Sequence, residues 1–184
     1  MTRHLAIVIE SLGGGGAQHV ATSLANAWAT EGADITVITL QDAANDAFTL
    51  DPRIRRIVIG GSGRSSSSLS ALLANFRRVR SLRAAIRASR ADVILSFVAA
   101  TNVLSVLARF GLPQRLVISE RNDPALQSLG PIWNAMRRRF YRYADLAVAN
   151  SHAAIETMSA YVPRDRLIWL PNPVRQNPPS YKWS

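Results

Sequence analysis

The sequence predicts a doubly wound α/β domain, in which helices cover both faces of a mostly parallel, Rossmann-like β-sheet. Short runs rich in valine, isoleucine and leucine alternate about six times with longer segments of helical periodicity. These runs are apolar on both faces, which is typical of parallel strands buried between two layers of helices. With 184 residues and 48% hydrophobic residues, the chain can build one such domain with a substantial core.

Seven apolar runs predict the strands. In chain order they are residues 5–9, 34–40, 55–60, 92–97, 115–120, 145–151 and 166–172. Five segments with apolar residues at helical spacing predict the helices, at 17–32, 69–90, 101–110, 131–143 and 152–161. A glycine- and serine-rich stretch, 60–68, predicts a loop. Ligands of such sheets bind beyond the C-terminal ends of the strands, so the residues that follow each strand are the candidates for a site.

The formal net charge of +10 comes almost entirely from arginine, because Lys182 is the only lysine. Such a charge predicts attraction to anions, which include nucleic acid, an acidic membrane surface and phosphorylated substrates. The alternative is a solvated surface that reflects an arginine-rich coding bias.

Composition and spacing argue against several classes of site. The chain has no cysteine, which rules out disulfides and thiolate metal sites. The histidines His4, His19 and His152 are far apart and lack metal-ligand spacing, so no metal is expected. No helix-turn-helix, zinc or RNP signature is present, and nucleic acid is not expected as a partner. The first apolar run ends at Glu10, too early for a signal peptide, and 93–108 is too short and too polar for a membrane span.

Four consecutive glycines, Gly13 to Gly16, follow the first predicted strand and lead directly into the first predicted helix. Their spacing fits the dinucleotide pattern G-x-G-x-x-G poorly, because Gln18 or His19 occupies the third glycine position. Bare amides at a helix N-terminus instead predict an anion site, or a surface where a bulky ligand approaches the backbone. A side chain there would also strain any positive-φ conformation. A glycine turn required only for packing is the alternative.

The stretch "SLGGGGAQHVATSLANAWATEGADITVITL" resembles the opening of the retaining family-4 glycosyltransferases of GT-B fold, whose first loop reads Gly-Gly-Ala-Glu-Arg-Val. Gly15, Gly16, Ala17 and Val20 match that loop, whereas Gln18 and His19 replace the usual Glu and Arg. Later segments, in the same order, are similar to the bacterial polysaccharide and lipid-linked-oligosaccharide transferases of this family. They are "DVILSFVAATNVLSVLA", "VISERNDP", "ADLAVANS" and "LPNPV".

The resemblance implies that residues 1–174 form the N-terminal, acceptor-binding half of a GT-B enzyme, with 175–184 as a linker or truncated tail. The donor half, with its basic pair and Glu-x7-Glu motif, is expected from a missing domain or subunit, so the chain alone is expected to be inactive. The whole enzyme would transfer a hexosyl group from a nucleotide sugar to a saccharide acceptor in cell-surface polysaccharide synthesis. No cofactor and no metal are expected. The implied location is cytoplasmic, peripheral on the inner face of the membrane.

The residues that follow the strands supply the candidate substrate-binding set. It comprises Gly14, Gly15, Gly16, Ala17, Asn102, Arg121, Asn122 and Asp123. A guanidinium binds phosphate or sugar hydroxyls, and Asn and Asp are typical partners of sugars. An Asx-turn before Pro124 is the alternative for the 121–123 segment, and helix capping is the alternative for Asn102. No histidine follows the fourth strand, so no catalytic residue is named.

Two predicted helices carry rows of arginine beside apolar stripes. The residues are Arg80, Arg83 and Arg87 in the first, and Arg137, Arg138, Arg139 and Arg142 in the second. Such helices suit an anionic membrane surface, and the arginines suit the pyrophosphate of a polyprenyl-linked acceptor. A solvated helix face over a packed core is the alternative. A rival for the whole chain is a non-catalytic Rossmann-like module that binds a nucleotide or another anion.

Overall fold

The computed structural model describes residues 4–60 and 68–171 of the chain. The strands are β1 (His4–Ile9), β2 (Asp34–Thr39), β3 (Arg55–Val58), β4 (Val93–Phe97), β5 (Arg115–Glu120), β6 (Leu146–Ala149) and β7 (Leu167–Trp169). The helices are α1 (Gly16–Thr30), α2 (Ser68–Ser89), α3 (Ala99–Arg109), α4 (Pro131–Phe140) and α5 (His152–Ser159). Most of the predicted 60–68 loop, the predicted 175–184 tail and most of the "PNPV" segment lie outside the described residues.

All seven strands form one sheet in the order β3-β2-β1-β4-β5-β6-β7, and every neighbouring pair is parallel. The predicted doubly wound, parallel α/β fold is therefore confirmed. From β1 the chain proceeds to one edge of the sheet, and from β4 it proceeds to the other. The strand order reverses between β1 and β4, where Val8 lies opposite Ser96. In open parallel sheets, ligands bind in the crevice outside the carboxyl ends of the strands at such a switch point.

The core consists of two layers, one on each face of the sheet. Ile7 and Ile9 of β1 pack with α1, whereas Ala6 and Val8 pack with α2, α3, α4 and α5. Successive strand residues point to opposite faces, so an apolar run on β1 fills both layers. This two-sided burial explains why the strands read as continuous apolar runs rather than as alternating patterns.

Most helix boundaries lie within two residues of the prediction, and two of the differences have a clear structural cause. Helix α3 begins at Ala99, two residues earlier than expected, because Val98 turns the chain immediately after β4 with a φ of 71°. This left-handed conformation is unusual for a β-branched residue. Helix α4 ends at Phe140, and a single 3₁₀ turn, Tyr141–Tyr143, completes the segment that was predicted as one helix.

The apolar stripe of α2 is only partly buried. Leu82 and Ile86 are fully buried, whereas Leu73 and Phe76 are 51% and 60% exposed. A helix of 22 residues is about 33 Å long, whereas strands of four to six residues span roughly 13–20 Å. This difference in length is consistent with the exposure of Leu73 and Phe76 near the start of α2. None of the described helices combines the length and the apolar composition needed to cross a membrane.

Leu82→Ala should lower the free energy of unfolding by about 2–5 kcal/mol, because it opens a cavity in the layer between α2 and the sheet. The matched control is Leu73→Ala on the same helix, which should change it by less than about 0.5 kcal/mol. Urea unfolding followed by circular dichroism measures both values. Equal losses in the two variants would contradict the placement of α2.

Candidate functional site

Two helix N-termini meet the crevice at the switch point. Helix α1 follows β1 with Gly15 as its N-cap, and α3 follows β4 with Val98 as its N-cap. Gly15 has no side chain and Val98 has an apolar one, so neither N-cap residue accepts a side-chain hydrogen bond from the first turn of its helix. By contrast, Ser151 caps α5, where its Oγ accepts from the backbone N–H of Ala154 at 3.1 Å. The uncapped N–H groups and helix dipoles of α1 and α3 favour an anionic or oxygen-rich ligand in the crevice.

The predicted glycine residues present bare backbone to solvent. Gly14, Gly15 and Gly16 are exposed, and Ala17 is half-buried at the start of α1. A Cβ atom at Gly14 or Gly16 would meet no atom within 4 Å, and at Gly15 it would meet only the flexible Gln18 side chain. Packing therefore does not explain glycine at these positions, and the loop remains open to the approach of a ligand.

The structure corrects the expectation of backbone strain in this loop. Positive-φ glycines occur at Gly32, Gly60, Gly111 and Gly130, but not in the run 13–16. Gly15 has a φ of 164°, which is extended backbone that any residue adopts. A side chain at Gly14 or Gly16 would consequently project into open space without straining the chain.

Arg121 follows β5 at the same edge of the sheet. It is half-buried, and its guanidinium carbon lies 6.0 Å from the ring centroid of Phe97, the last residue of β4. Burial lowers the pKa of Arg121 from its ordinary value. Its backbone carbonyl accepts a 3.1 Å hydrogen bond from Asn150 Nδ2, which follows β6. Contacts from the ends of β4 and β6 therefore position this cation.

The next two predicted residues make hydrogen bonds within their own loop. Asp123 Oδ1 accepts from the backbone N–H of Ala125 at 2.9 Å, which is the Asx-turn geometry given above as the alternative. Asn122 is exposed, and its Nδ2 donates to Gln127 Oε1 at 3.1 Å. These bonds shape the loop, and any role of the two side chains toward a substrate stays a prediction.

Asn102 lies inside the protein rather than at the edge of the crevice. It is fully buried in the first turns of α3, and its Nδ2 donates to the backbone carbonyl of Ser119 at 3.1 Å and to Tyr141 Oη at 3.2 Å. Its side chain does not cap the helix, since Val98 is the N-cap. Asn102 thus belongs to a buried polar network that connects α3, β5 and the turn after α4.

The centre of this network is Glu120, the last residue of β5, which sequence reasoning did not identify. Its carboxylate is fully buried, and Oε2 accepts from Tyr141 Oη at 2.7 Å. Its other oxygen, Oε1, is buried and has no hydrogen-bond partner among the described residues. Burial raises the pKa of Glu120, and burial together with this nearby acid raises that of Tyr141. The network thereby holds the strand end from which the 121–123 loop starts. In the sequence, the signal that could have revealed Glu120 is an acidic residue at the end of an otherwise apolar strand.

On α2, the three predicted arginines do not act as one row. Arg80 and Arg87 are exposed, and the Arg80 guanidinium lies 6.0 Å from the ring centroid of Phe76. Arg83 is a correction, because it is half-buried and donates to the backbone carbonyls of Ala108 and Phe110 at the end of α3. The carbonyls at a helix C-terminus lack intrahelical partners and attract a cation, so Arg83 serves the fold.

On α4, the arginines divide in a similar way. Arg138, Arg139 and Arg142 are exposed, and the guanidinium carbon of Arg139 lies 5.4 Å from the ring centroid of Tyr143. Arg137 is only 4% exposed, which corrects its placement on a membrane-facing surface. The loop before α4 folds over this flank of the helix, and Arg137 Nη2 donates to the carbonyl of Pro124 at 3.0 Å.

No group of three or more His, Asp or Glu side chains within residues 4–60 and 68–171 is arranged to hold a metal ion. The polar groups that the structure brings to the crevice are the α1 and α3 N-termini and the Arg121 segment. The exposed arginines of α2 and α4 lie on the helical layer instead.

Comparison with known proteins gives a match between residues 14–177 and the family described as Glycosyltransferase Family 4. A Campylobacter jejuni protein is 29% identical over 142 residues, which cover 77% of this chain and 38% of that protein. Its name is GalNAc-alpha-(1->4)-GalNAc-alpha-(1->3)-diNAcBac-PP-undecaprenol alpha-1,4-N-acetyl-D-galactosaminyltransferase.

Solved structures share the fold at low identity. Anabaena HepE in complex with UDP and glucose is 18% identical with a TM-score of 0.64, and the match covers 92% of this chain and 44% of that one. Sucrose-phosphate synthase from Thermosynechococcus elongatus is 13% identical with a TM-score of 0.72, covering 92% and 48%. The chain therefore spans less than half the length of each of these relatives.

Glu120→Gln should make stability less dependent on pH. Because burial raises the pKa of Glu120, the folded state favours its protonated form. The stability that the folded state gains from protonated Glu120 is fully present below the ordinary carboxyl pKa of about 4.5. It is lost as the pH rises through the raised pKa of Glu120 in the folded protein. Glutamine does not titrate, so the unfolding free energy of the variant should increase relative to the wild type as the pH rises from about 4.5 through the raised pKa. Urea unfolding across this range measures it, with the exposed Glu31→Gln as the control. A constant difference across the range would contradict the raised pKa.

Proposed function

The chain belongs to glycosyltransferase family 4, and on that premise we propose that it is the acceptor-binding half of a retaining GT-B glycosyltransferase. The donor-binding half would come from a further domain or a separate subunit. Two observations support this division. The described residues, 4–60 and 68–171, contain a single parallel sheet, and the match covers 38% of the length of the Campylobacter relative.

The observation that carries the proposal is the exposed glycine loop beside an uncapped helix N-terminus at the switch point. A saccharide acceptor presents many hydroxyl groups, which bond well to backbone N–H groups and to a guanidinium such as that of Arg121. The absence of side chains at Gly14 and Gly16 leaves room for the acceptor against the backbone. In the proposed reaction the bond between the sugar and the nucleoside diphosphate breaks, a glycosidic bond to the acceptor hydroxyl forms, and that hydroxyl loses its proton.

We further propose a lipid-linked acceptor and a peripheral position on the inner face of the cell membrane. The name of the Campylobacter relative describes a PP-undecaprenol-linked saccharide. In this chain, an apolar groove of about 520 Å³ between α2 and α4 is lined by Leu73, Phe76 and Trp133, among others. The cation Arg80 lies beside it, over the ring of Phe76. Exposed apolar side chains next to arginines suit the boundary between lipid headgroups and acyl chains.

The function is tested with Gly16→Val in a two-domain protein that joins this chain to the donor domain of the Campylobacter relative. The acceptor is a polyprenyl-diphosphate-linked GalNAc saccharide, and the donor is UDP-GalNAc. The valine side chain would occupy the acceptor path, so transfer should fall at least about a hundredfold, as a misplaced substrate does. The stability of the variant should change by less than about 1 kcal/mol, because its Cβ meets no neighbouring atom.

The control is Ser23→Val, at an exposed position in the middle of α1, which should retain transfer.

The chain without a donor domain should bind the acceptor and transfer no sugar. Full activity of Gly16→Val would remove the loop from the site, and turnover by the chain alone would contradict the two-half division. Micromolar binding of NAD in calorimetry would favour a dinucleotide module instead.

The membrane proposal predicts that the chain sediments with anionic vesicles more than with neutral ones. Binding should weaken at high salt, since surface charges are screened over about 10 Å in 0.1 M salt. Replacing Arg80, Arg87 and Arg139 together with glutamine should weaken binding by about 1 kcal/mol per charge at most. The control is Arg115→Gln, which is exposed at the N-terminal end of β5 and does not line the apolar groove. Equal binding to both vesicle types would count against a membrane surface.

A further inference from the structure

A second pocket lies between α4 and α5, under the loop that joins β5 to α4. Its volume is about 590 Å³, within the range of small-molecule sites. The polar residues of its lining that matter here are Ser128, Asn134, Arg137, Arg138, Arg142 and Tyr161. This pocket is lined by helix flanks rather than by the glycine loop and the α3 N-terminus, so it is separate from the crevice.

The lining of this α4–α5 pocket is strongly cationic. It contains three arginines and no acidic residue. Arg138 and Arg142 are exposed, and neither guanidinium makes a hydrogen bond or an ion pair with the described residues. Three neighbouring positive charges repel one another, and an anion between them would remove that repulsion.

Arg137 supplies the independent observation that the pocket is built for a ligand. It is 96% buried, yet its Nε and Nη1 atoms have no hydrogen-bond partner among the described residues. The nearby Glu120 interacts with it electrostatically, but its carboxylate makes no ion pair with Arg137, and Glu120 Oε1 is itself buried without a hydrogen-bond partner among the described residues. A buried cation with unsatisfied donors is costly, and side chains of this kind are usually compensated by a counter-charge.

Two neutral groups complete the wall. Tyr161 Oη is buried and has no hydrogen-bond partner among the described residues, and burial raises its pKa to about 12, so it is a neutral donor. Ser128 Oγ accepts from Gly130 N at 3.3 Å and from Asn134 Nδ2 at 3.1 Å, which directs its own hydroxyl proton elsewhere. The two exposed guanidinium groups of the lining, on Arg138 and Arg142, can donate to the oxygens of a phosphate group, and the buried Arg137 adds a third positive charge beside them.

We propose that the α4–α5 pocket binds a phosphate group, which Arg138 and Arg142 hold at the mouth while Arg137 and Tyr161 form the inner wall. The volume exceeds that of phosphate alone, so the ligand carries the phosphate on a larger group. The chemistry is shared by a phosphorylated small molecule and by a lipid headgroup. The site is independent of the glycosyl transfer proposed above.

The test is calorimetric titration of the chain with inorganic pyrophosphate at constant ionic strength. One equivalent should bind, and the pair Arg138→Gln with Arg142→Gln should weaken binding at least about tenfold, since hydrogen bonds to charged groups are strong. The matched pair Arg77→Gln with Arg115→Gln removes the same charge from exposed sites outside the pocket and should leave the affinity unchanged.

Vesicles that contain phosphatidic acid distinguish the two sources of phosphate. If the pocket pair loses more vesicle binding than the matched pair, the phosphate belongs to a lipid headgroup. If both pairs lose vesicle binding equally while only the pocket pair loses pyrophosphate, the ligand is a phosphorylated small molecule. The proposal is overturned if pyrophosphate gives no heat of binding, or if its affinity falls equally in both pairs. All of these outcomes concern the α4–α5 pocket, and none of them tests acceptor binding in the crevice.

Discussion

The reversal of strand order between β1 and β4 is the constraint on which the rest of the structure depends. Because all seven strands are parallel, their C-terminal ends lie at one edge. Since the chain winds outward in both directions from the centre, the helices that follow β1 and β4 start on opposite faces of that edge. Two helix N-termini without side-chain caps therefore border one crevice. The bare glycine loop is placed there by the same topology, which makes the crevice the natural position for a saccharide.

The buried Glu120 carboxylate connects this crevice to the helical layer. It directly precedes the loop that carries Arg121, and it accepts a hydrogen bond from the Tyr141 hydroxyl on the helical side. Asn102 closes the network from α3 through the same hydroxyl. A polar network of this kind is favourable only in one arrangement of its members, so it specifies how β5, α3 and the turn after α4 fit together. The position of Arg121 is thus set by groups that no ligand touches.

The sequence predicted the order and type of the seven strands and five α-helices that the structure describes, because parallel strands and amphipathic helices leave strong local patterns. It did not predict the two short 3₁₀ turns, Tyr141–Tyr143 and Arg164–Arg166. It predicted less about single side chains. Periodicity gives the angle of Arg137 on its helix, but not that the preceding loop folds over that flank and buries it. Arg83 likewise meets carbonyls of α3, about 25 residues away in the chain. Glu120 and Tyr141 were missed for the same reason, since their partnership exists only in the folded chain.

The central strand pair also determines how the chain can reach this structure. Leu5 of β1 pairs with Val93 of β4, so the middle of the sheet joins segments almost half the chain apart. Closing so large a loop costs entropy before any contact compensates it, and parallel sheets with such distant pairings fold slowly. During synthesis, β1, α1 and β2 can associate early, but the sheet cannot be completed until β4 has left the ribosome. Until then β1 presents an unpaired, apolar edge, which is the state in which a newly made chain would most need a chaperone.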